Sequence, residues 1–338
     1  MARRGGWRRA GSKGRFRYLD GRGNRIEDEA KLERIEALVI PPAWRDVWIS
    51  PNPRAKLQAT GVDRAGRRQY LYHPEFRAQQ EQAKYDKLVR FAAKLPDLRL
   101  AMNEHMDLDT YEPDRVCAIA VRLINLGWFR VGSDRYAKTS RTYGVTTLYK
   151  KHVSVRGNKV AFAFRGKHKV LVRTTLVDSE LADAIKGLLA LPGGGRLFRY
   201  ENGTGVCALS GSVLNAYIQE HMGEEFSAKD FRTWGGTLIA AIALAEHDPP
   251  ESEAEAKRRI AAVMRTVGDR LGNTPAVARS SYVSPAVIEQ YLDGRTVDDF
   301  RPRRLRVVRA RETSLDPEEQ AVTSLLRSWR IRRSREAA

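Results

Sequence analysis

Long apolar runs are missing from this 338-residue chain. No stretch of 18 or more apolar residues occurs, so no membrane-spanning helix is expected. Cysteine is nearly absent, with only Cys117 and Cys207. Two thiols cannot build a disulfide framework or a cysteine-rich zinc site. Each sits in a Val-Cys-Ala setting, which predicts buried, reduced side chains in a reducing compartment. The opening Met-Ala-Arg-Arg-Gly-Gly-Trp-Arg-Arg has no apolar core behind its charges and does not read as a secretion signal, so a cytoplasmic location is expected. The six histidines (His73, His105, His152, His168, His221 and His247) lack metal-ligand spacing. Neither G-x-x-x-x-G-K-[ST] nor a strand-borne G-x-G-x-x-G is present, so neither ATP nor a dinucleotide is expected. Acid pairs such as Asp107/Asp109 and Asp298/Asp299 read as surface acids rather than a two-metal nuclease site. No cofactor and no tightly bound metal are expected.

Acidic residues are also in deficit, 41 against 60 Lys and Arg, giving a formal charge of +19. That excess calls for a polyanionic partner. It is concentrated at the ends: residues 1–25 carry a net +8 and residues 301–338 a net +6. Both segments read as basic tails suited to sequence-independent phosphate contact, or as solvated tails that aid solubility. The rest is ordinary globular sequence, and its length and 42% hydrophobic content predict two domains with cores of their own.

Residues 31–39 suggest a short helix stopped by Pro41 and Pro42. Residues 55–60 and 67–72 flank Gly-Val-Asp-Arg-Ala-Gly and predict a hairpin. From about residue 75 the period becomes helical. A boundary near residue 82 is expected, between a small β-rich domain (1–82) and a larger, mainly helical one (83–338). Pro113 opens a helix with an apolar face from Val116 to Ile124. Residues 159–164 and 168–174 alternate around Arg165-Gly166-Lys167, a second hairpin with Lys167 at its tip. Ser227 and Asp230 form a capping box for a helix running toward His247. Pro275 and Pro285 open two short helices.

Four basic or phenolic groups stand in ordered places. Arg130 follows a helix, at a junction that suits an interfacial ion pair. Lys167 sits where a solvated turn residue is ordinary. Arg232 is in the first turns of the Ser227-capped helix, one step round from Phe231, and is expected near the domain surface. Tyr282 lies between two short helices, where a phenol can project toward a ligand.

The strings that hold these residues carry a resemblance. Phe129-Arg-Val-Gly-Ser-Asp-Arg-Tyr136, followed by Tyr143-Gly-Val-Thr-Thr-Leu148, resembles the first arginine motif of type IB DNA topoisomerases, in their small bacterial, poxvirus-like branch. Phe226-Ser-Ala-Lys-Asp-Phe-Arg-Thr-Trp-Gly-Gly-Thr237 resembles the second arginine motif. Leu271-Gly-Asn-Thr-Pro-Ala-Val-Ala-Arg-Ser-Ser-Tyr282 resembles the motif ending in the nucleophile. Phe164-Arg-Gly-Lys-His-Lys169 is similar to the lysine hairpin, and Gly61–Pro74 to a DNA-contacting part of the N-terminal domain. The likeness runs in order from about residue 25 to 295.

The resemblance implies an α+β chain: a β-rich N-terminal domain and a mainly α-helical catalytic domain with a small β-hairpin or sheet, the fold shared with tyrosine recombinases. It implies ATP-independent relaxation of positive and negative supercoils through a 3′-phosphotyrosyl link, by a monomer that closes as a clamp round duplex DNA in the nucleoid. Tyr282 would be the nucleophile, Arg130 and Arg232 the phosphate-stabilising cations, and Lys167 the general acid. Asn273 stands where the family usually has histidine. Its amide can donate a hydrogen bond to phosphate without titrating; the alternative is that it only helps cap the helix opened by Pro275. Gln69, Tyr70, Tyr72 and Tyr136 match DNA-contacting positions. Two rival readings remain. Recombinases usually carry histidine three residues before the second arginine, where this chain has Lys229. A non-enzymatic DNA-compaction protein would need only the basic ends.

Overall fold

The computed structural model describes residues 5–12, 14–203, 205–301 and 311–336. The chain divides into two compact units, Met1–Tyr85 and Asp86–Ala338.

The first unit is built on strands β1 (Trp7–Ala10), β2 (Arg17–Leu19), β3 (Arg45–Ile49), β4 (Leu57–Val62) and β5 (Arg68–Tyr72), in the antiparallel order β2-β1-β3-β4-β5. Helix α1 (Glu29–Ala37) is capped by Asp28, whose side chain accepts from the Lys31 N–H. Trp7, Ile26, Ile35, Val47 and Ile49 meet in one core.

The described part of the basic N-terminal segment is therefore not a tail. Trp7 is a core residue. The Arg9 guanidinium donates to the carbonyls of Ile40, Pro41 and Trp44 and lies 4.2 Å from the Phe16 ring centroid. Net charge does not reveal this, because an arginine that caps loop carbonyls is indistinguishable by charge from one awaiting phosphate. Residues 1–4, also part of the expected tail, lie outside the described residues.

Helix α2 (Pro74–Met106) begins in the first unit and continues into the second. The second unit then holds α3 (Pro113–Gly127), α4 (Asp134–Ser140), strands β6 (Val153–Arg156), β7 (Lys159–Arg165) and β8 (Leu171–Val177), and α5 (Ser179–Ala190). The short strands β9 (Arg199–Glu201) and β10 (Val206–Ala208) pair with each other. Helices α6 (Gly211–Met222), α7 (Ala228–Ala245), α8 (Glu253–Leu271), α9 (Pro275–Ser281), α10 (Pro285–Leu292) and α11 (Pro317–Glu336) complete it. The architecture is α+β, and no described helix is long and apolar enough to cross a membrane.

Two helices form the centre. From Val116 to Ile124 α3 is buried on every side, packed against α5, α6 and α7. Its one charged core residue, Arg122, pairs with Asp178, the N-cap of α5, at 2.6 Å. Helix α7 is buried from Phe231 to Thr237, between α3, α6, α8, α10 and α11.

Three expectations need correction. The second hairpin strand starts at Leu171, not residue 168, because His168 and Lys169 take positive φ (60° and 62°) in a single 3₁₀ turn, Lys167–Lys169. Cys117 is buried in α3, and burial pushes its thiol up to about 12. Cys207, on the two-stranded β9–β10 ribbon, is only half-buried; both thiols are free. The C-terminal segment carries α11, whose Ala321, Val322, Leu325, Leu326 and Trp329 are buried, so from Pro317 it is a packed helix and not a tail. Residues 302–310 of that expected tail lie outside the described residues.

Candidate active site

Arg130 enters the site from the end of α3. Trp128 closes that helix in the left-handed region (φ 50°, ψ 33°). The Phe129 ring packs on Phe162 and Phe164 of β7, with centroids 5.2 and 5.9 Å away. The Val145 and Thr146 N–H groups donate to the carbonyls of Arg130 and Val131, both at 2.8 Å. The backbone at residue 130 is thus fixed from both sides.

Among the described residues, the guanidinium of Arg130 makes no ion pair and is held by neutral acceptors. Nη1 donates to the Leu271 carbonyl at 3.4 Å, and Nη2 to the Gly272 carbonyl at 3.2 Å and to Asn273 Oδ1 at 2.5 Å. These acceptors belong to the C-terminal end of α8, where unpaired carbonyls and the helix dipole favour a cation. The end is shaped by Gly272 in the left-handed conformation (φ 60°) and by the Asn273 N–H returning to the Gly268 carbonyl at 2.8 Å, a Schellman closure.

Arg232 reaches one of these acceptors, the Leu271 carbonyl, from α7. The Ser227–Asp230 capping box is present, with the Ser227 N–H on Asp230 at 2.8 Å. The side chain is not at the surface, however: Arg232 is only 5% exposed. An apolar stripe predicts a solvent face on the opposite side, but α7 is enclosed by five helices and has little such face here. Nη1 donates to the Trp128 carbonyl at 2.5 Å and Nη2 to the Leu271 carbonyl at 2.7 Å. Nε is buried and has no partner among the described residues. Burial, reinforced by the charge of Arg130, brings the guanidinium down to about 10.

Tyr282 closes α9, its N–H donating to the Ala278 carbonyl at 3.0 Å. Its ring lies 4.9 Å, centroid to carbon, from the Arg232 guanidinium. Burial pushes the half-buried phenol up. The charges of Arg232, Arg130 and Lys167 more than offset this, so it stands below its ordinary value of 10. A phenol held by cations ionises more easily and is a better nucleophile.

Lys167 is exposed in the 3₁₀ turn between β7 and β8, close enough to Tyr282 to act on it electrostatically. An open cleft of about 420 Å³ runs from this hairpin to the end of α8, lined by Gly166, Val170, Arg130, Arg232, Leu271 and Gly272 among others. Asn273 does not cap α9; Thr274 does, accepting from the Val277 N–H. Asn273 instead orients Arg130 through Oδ1, and among the described residues its Nδ2 has only the Leu271 carbonyl, at 3.5 Å.

The structure therefore brings Arg130, Arg232, Asn273, Tyr282 and the charge of Lys167 together. Tyr136 is 42% exposed on α4. In the first unit, Tyr70 and Tyr72 project from one face of β5 and stack at 6.2 Å, while Phe76 continues the row at 5.6 Å beneath Lys56. Gln69 falls on the other face of the strand and donates to Asp63 in the hairpin turn at 2.9 Å. Sequence reasoning missed the carbonyls of Trp128 and Leu271 that seat the arginines. Such groups have no side-chain signature; the nearest signal was the Gly272-Asn273 stop to α8.

The chain is similar to known proteins along most of its length. Residues 73–296 match the family described as eukaryotic DNA topoisomerase I, catalytic core, and residues 15–63 that described as bacterial DNA topoisomerase IB, N-terminal domain. The chain is 33% identical over 291 residues to DNA topoisomerase 1B of Acanthamoeba polyphaga mimivirus, covering 84% of this chain and 86% of the viral one. It is 22% identical over 280 residues to DNA topoisomerase 1B of vaccinia virus (80% and 85%). To DNA topoisomerase 1 of rabbit fibroma virus it is 25% identical over 247 residues (70% and 72%).

Proposed function

Because the chain belongs to the type IB DNA topoisomerase family, we propose that it relaxes positively and negatively supercoiled duplex DNA by transesterification at Tyr282. Tyr282 Oη attacks a backbone phosphorus, and the bond to the 5′-oxygen breaks. The phosphorus ends as a 3′-phosphotyrosyl diester. The phenolic proton leaves to water or a phosphate oxygen, and Lys167 supplies one to the departing 5′-hydroxyl. The free end swivels, and the 5′-hydroxyl reverses the exchange. One diester replaces another, so no ATP is consumed.

Charge gathers on the nonbridging oxygens during the transfer, and fixed cations stabilise it. Arg130 and Arg232 are those cations. Each spends part of its donor set on carbonyls that hold it in place, leaving its remaining N–H groups for phosphate. Asn273 Nδ2 adds a neutral donor. With these groups the chemistry needs no metal for charge neutralisation. Tyr70 and Tyr72, with Gln69 and Tyr136, contact DNA away from the reacting phosphate. The enzyme works as a monomer, its N-terminal and catalytic domains closing round the duplex, in the cytoplasm on the nucleoid.

The observation that carries this reading is the pair of guanidiniums, one buried and one half-buried, seated on the end of α8 beside a phenol whose ionisation they favour. The test is plasmid relaxation in EDTA without ATP. Wild type is expected to relax supercoils of both signs, and Tyr282→Phe to bind DNA but leave them intact. A wild type inactive across a range of salt, or an active Tyr282→Phe, overturns the proposal.

A further inference from the structure

Thr237 is fully buried in the middle of α7, five residues beyond Arg232. A buried hydroxyl needs partners, and inside a helix the nearest is the helix's own preceding turn. This one reaches across to another segment. Oγ1 donates to the Tyr282 carbonyl at 3.2 Å and accepts the Ser284 N–H at 3.1 Å. The two bonded groups flank Val283 and span the junction between α9 and α10. Tyr282 ends the first of these helices and Ser284 caps the second. Thr237 also gives the Ser284 N–H, at a residue 1% exposed, the partner that a buried donor requires.

The neighbouring residue has a complementary part. A Cβ on Gly236 would lie 2.7 Å from the Tyr282 carbonyl oxygen and 2.9 Å from the Tyr282 Cβ. Only a residue without a side chain lets α7 approach so closely. Gly236 is thus a notch that receives Tyr282, and Thr237 a hook that holds it.

We infer that Thr237 is a positioning residue for the nucleophile: it locks the Tyr282 backbone to the helix that carries Arg232, so that phenol and guanidinium keep one register. The inference rests on the proposed role of Tyr282. Thr237 touches no reacting atom; it acts through the placement of Tyr282 Oη, on which in-line attack depends steeply.

The test is single-turnover cleavage of a suicide duplex, with DNA affinity and thermal midpoint measured alongside. Thr237→Val keeps the shape and removes both hydrogen bonds. Cleavage is expected to slow about tenfold or more while the Kd for DNA stays within about twofold of wild type. Thr237→Ser keeps both bonds and loses a methyl, and cleavage is expected within about threefold of wild type. A folded Thr237→Val that cleaves at the wild-type rate overturns the inference. So does a folded Thr237→Ser slowed about tenfold or more, because methyl packing would then be what matters. The serine variant decides the question if the valine variant does not fold. Wild-type cleavage with Tyr282→Phe inactive holds throughout as the control, so these outcomes bear on Thr237 and leave the assignment of Tyr282 standing.

Discussion

Arg130 and Arg232 donate to the same oxygen, the Leu271 carbonyl, at 3.4 and 2.7 Å. Two like charges converge there because α8 ends on that carbonyl and the helix dipole presents its negative end. The burial cost is met by neutral acceptors, not by carboxylates. A carboxylate would neutralise the charge that a phosphate is meant to find; a carbonyl holds the guanidinium and leaves it charged. This relationship predicts the outcome of exchanging either arginine for lysine. An ammonium keeps the charge but has three donors on one nitrogen, so it cannot bond both the helix end and a phosphate in fixed directions. Arg130→Lys and Arg232→Lys are each expected to slow single-turnover cleavage about 100-fold while DNA binding persists. Near-wild-type cleavage by either variant would mean that charge alone suffices and that the planar fork is dispensable.

The ionisation of Tyr282 gives a second prediction. Burial raises the phenol, and Arg232, Arg130 and Lys167 pull it down further than burial lifts it. Removing a cation destabilises the phenolate, so Arg232→Ala must move the midpoint upward. With ¹³C-labelled tyrosine, the resonance that disappears in Tyr282→Phe is expected to titrate below 10 in wild type and at higher pH in Arg232→Ala. An unmoved midpoint would separate the cation–ring contact from the chemistry of the hydroxyl.

What the sequence made legible was local. Pro113, Pro275 and Pro285 mark helix starts, and the Ser227–Asp230 box is complete within four residues. Alternation alone put Tyr70 and Tyr72 on one face of β5. The burial of Arg232 is not legible in its own helix, because it depends on the five helices around α7. In α11 the signal existed: Ala321, Val322, Leu325, Leu326 and Trp329 recur at helical spacing. It was masked by counting the arginines between them. The Gly235-Gly236 pair in α7 is compatible with a close approach, but only the fold says that Tyr282 is what approaches Gly236.

Asn273 supplies the third prediction. Its Oδ1 holds Arg130 at 2.5 Å, and its Nδ2 is weakly engaged. Histidine can offer one ring nitrogen as acceptor and the other as donor, so Asn273→His is expected to keep substantial cleavage activity. Leucine offers neither, and Asn273→Leu is expected to lose about tenfold or more, through a freed Arg130 and a lost donor. Single-turnover rates for the two variants decide this. Equal losses would mean that the site is tuned to the asparagine shape rather than to its hydrogen bonds.

The last prediction concerns the C-terminal helix. Glu319 of α11 is 4% exposed and grips Arg99 of α2 through both oxygens, at 2.7 and 2.9 Å. The same carboxylate accepts from Trp234 Nε1 of α7 at 3.4 Å, two residues beyond Arg232. Helix α11 is thus fastened to the helix that carries the buried arginine. Glu319→Ala leaves the largely enclosed Arg99 side chain, 13% exposed, without its counter-ion, a change that costs about 3 kcal/mol and lowers the thermal midpoint by roughly 6–12 °C in a unit of this size. Arg327→Ala, on the exposed side of the same helix, is expected to shift stability by less than about 0.5 kcal/mol. Calorimetry of the two variants tells a packed helix from a basic tail. A tail tolerates both changes alike, whereas a docked α11 is sensitive to the loss of one carboxylate and indifferent to the loss of an exposed positive charge.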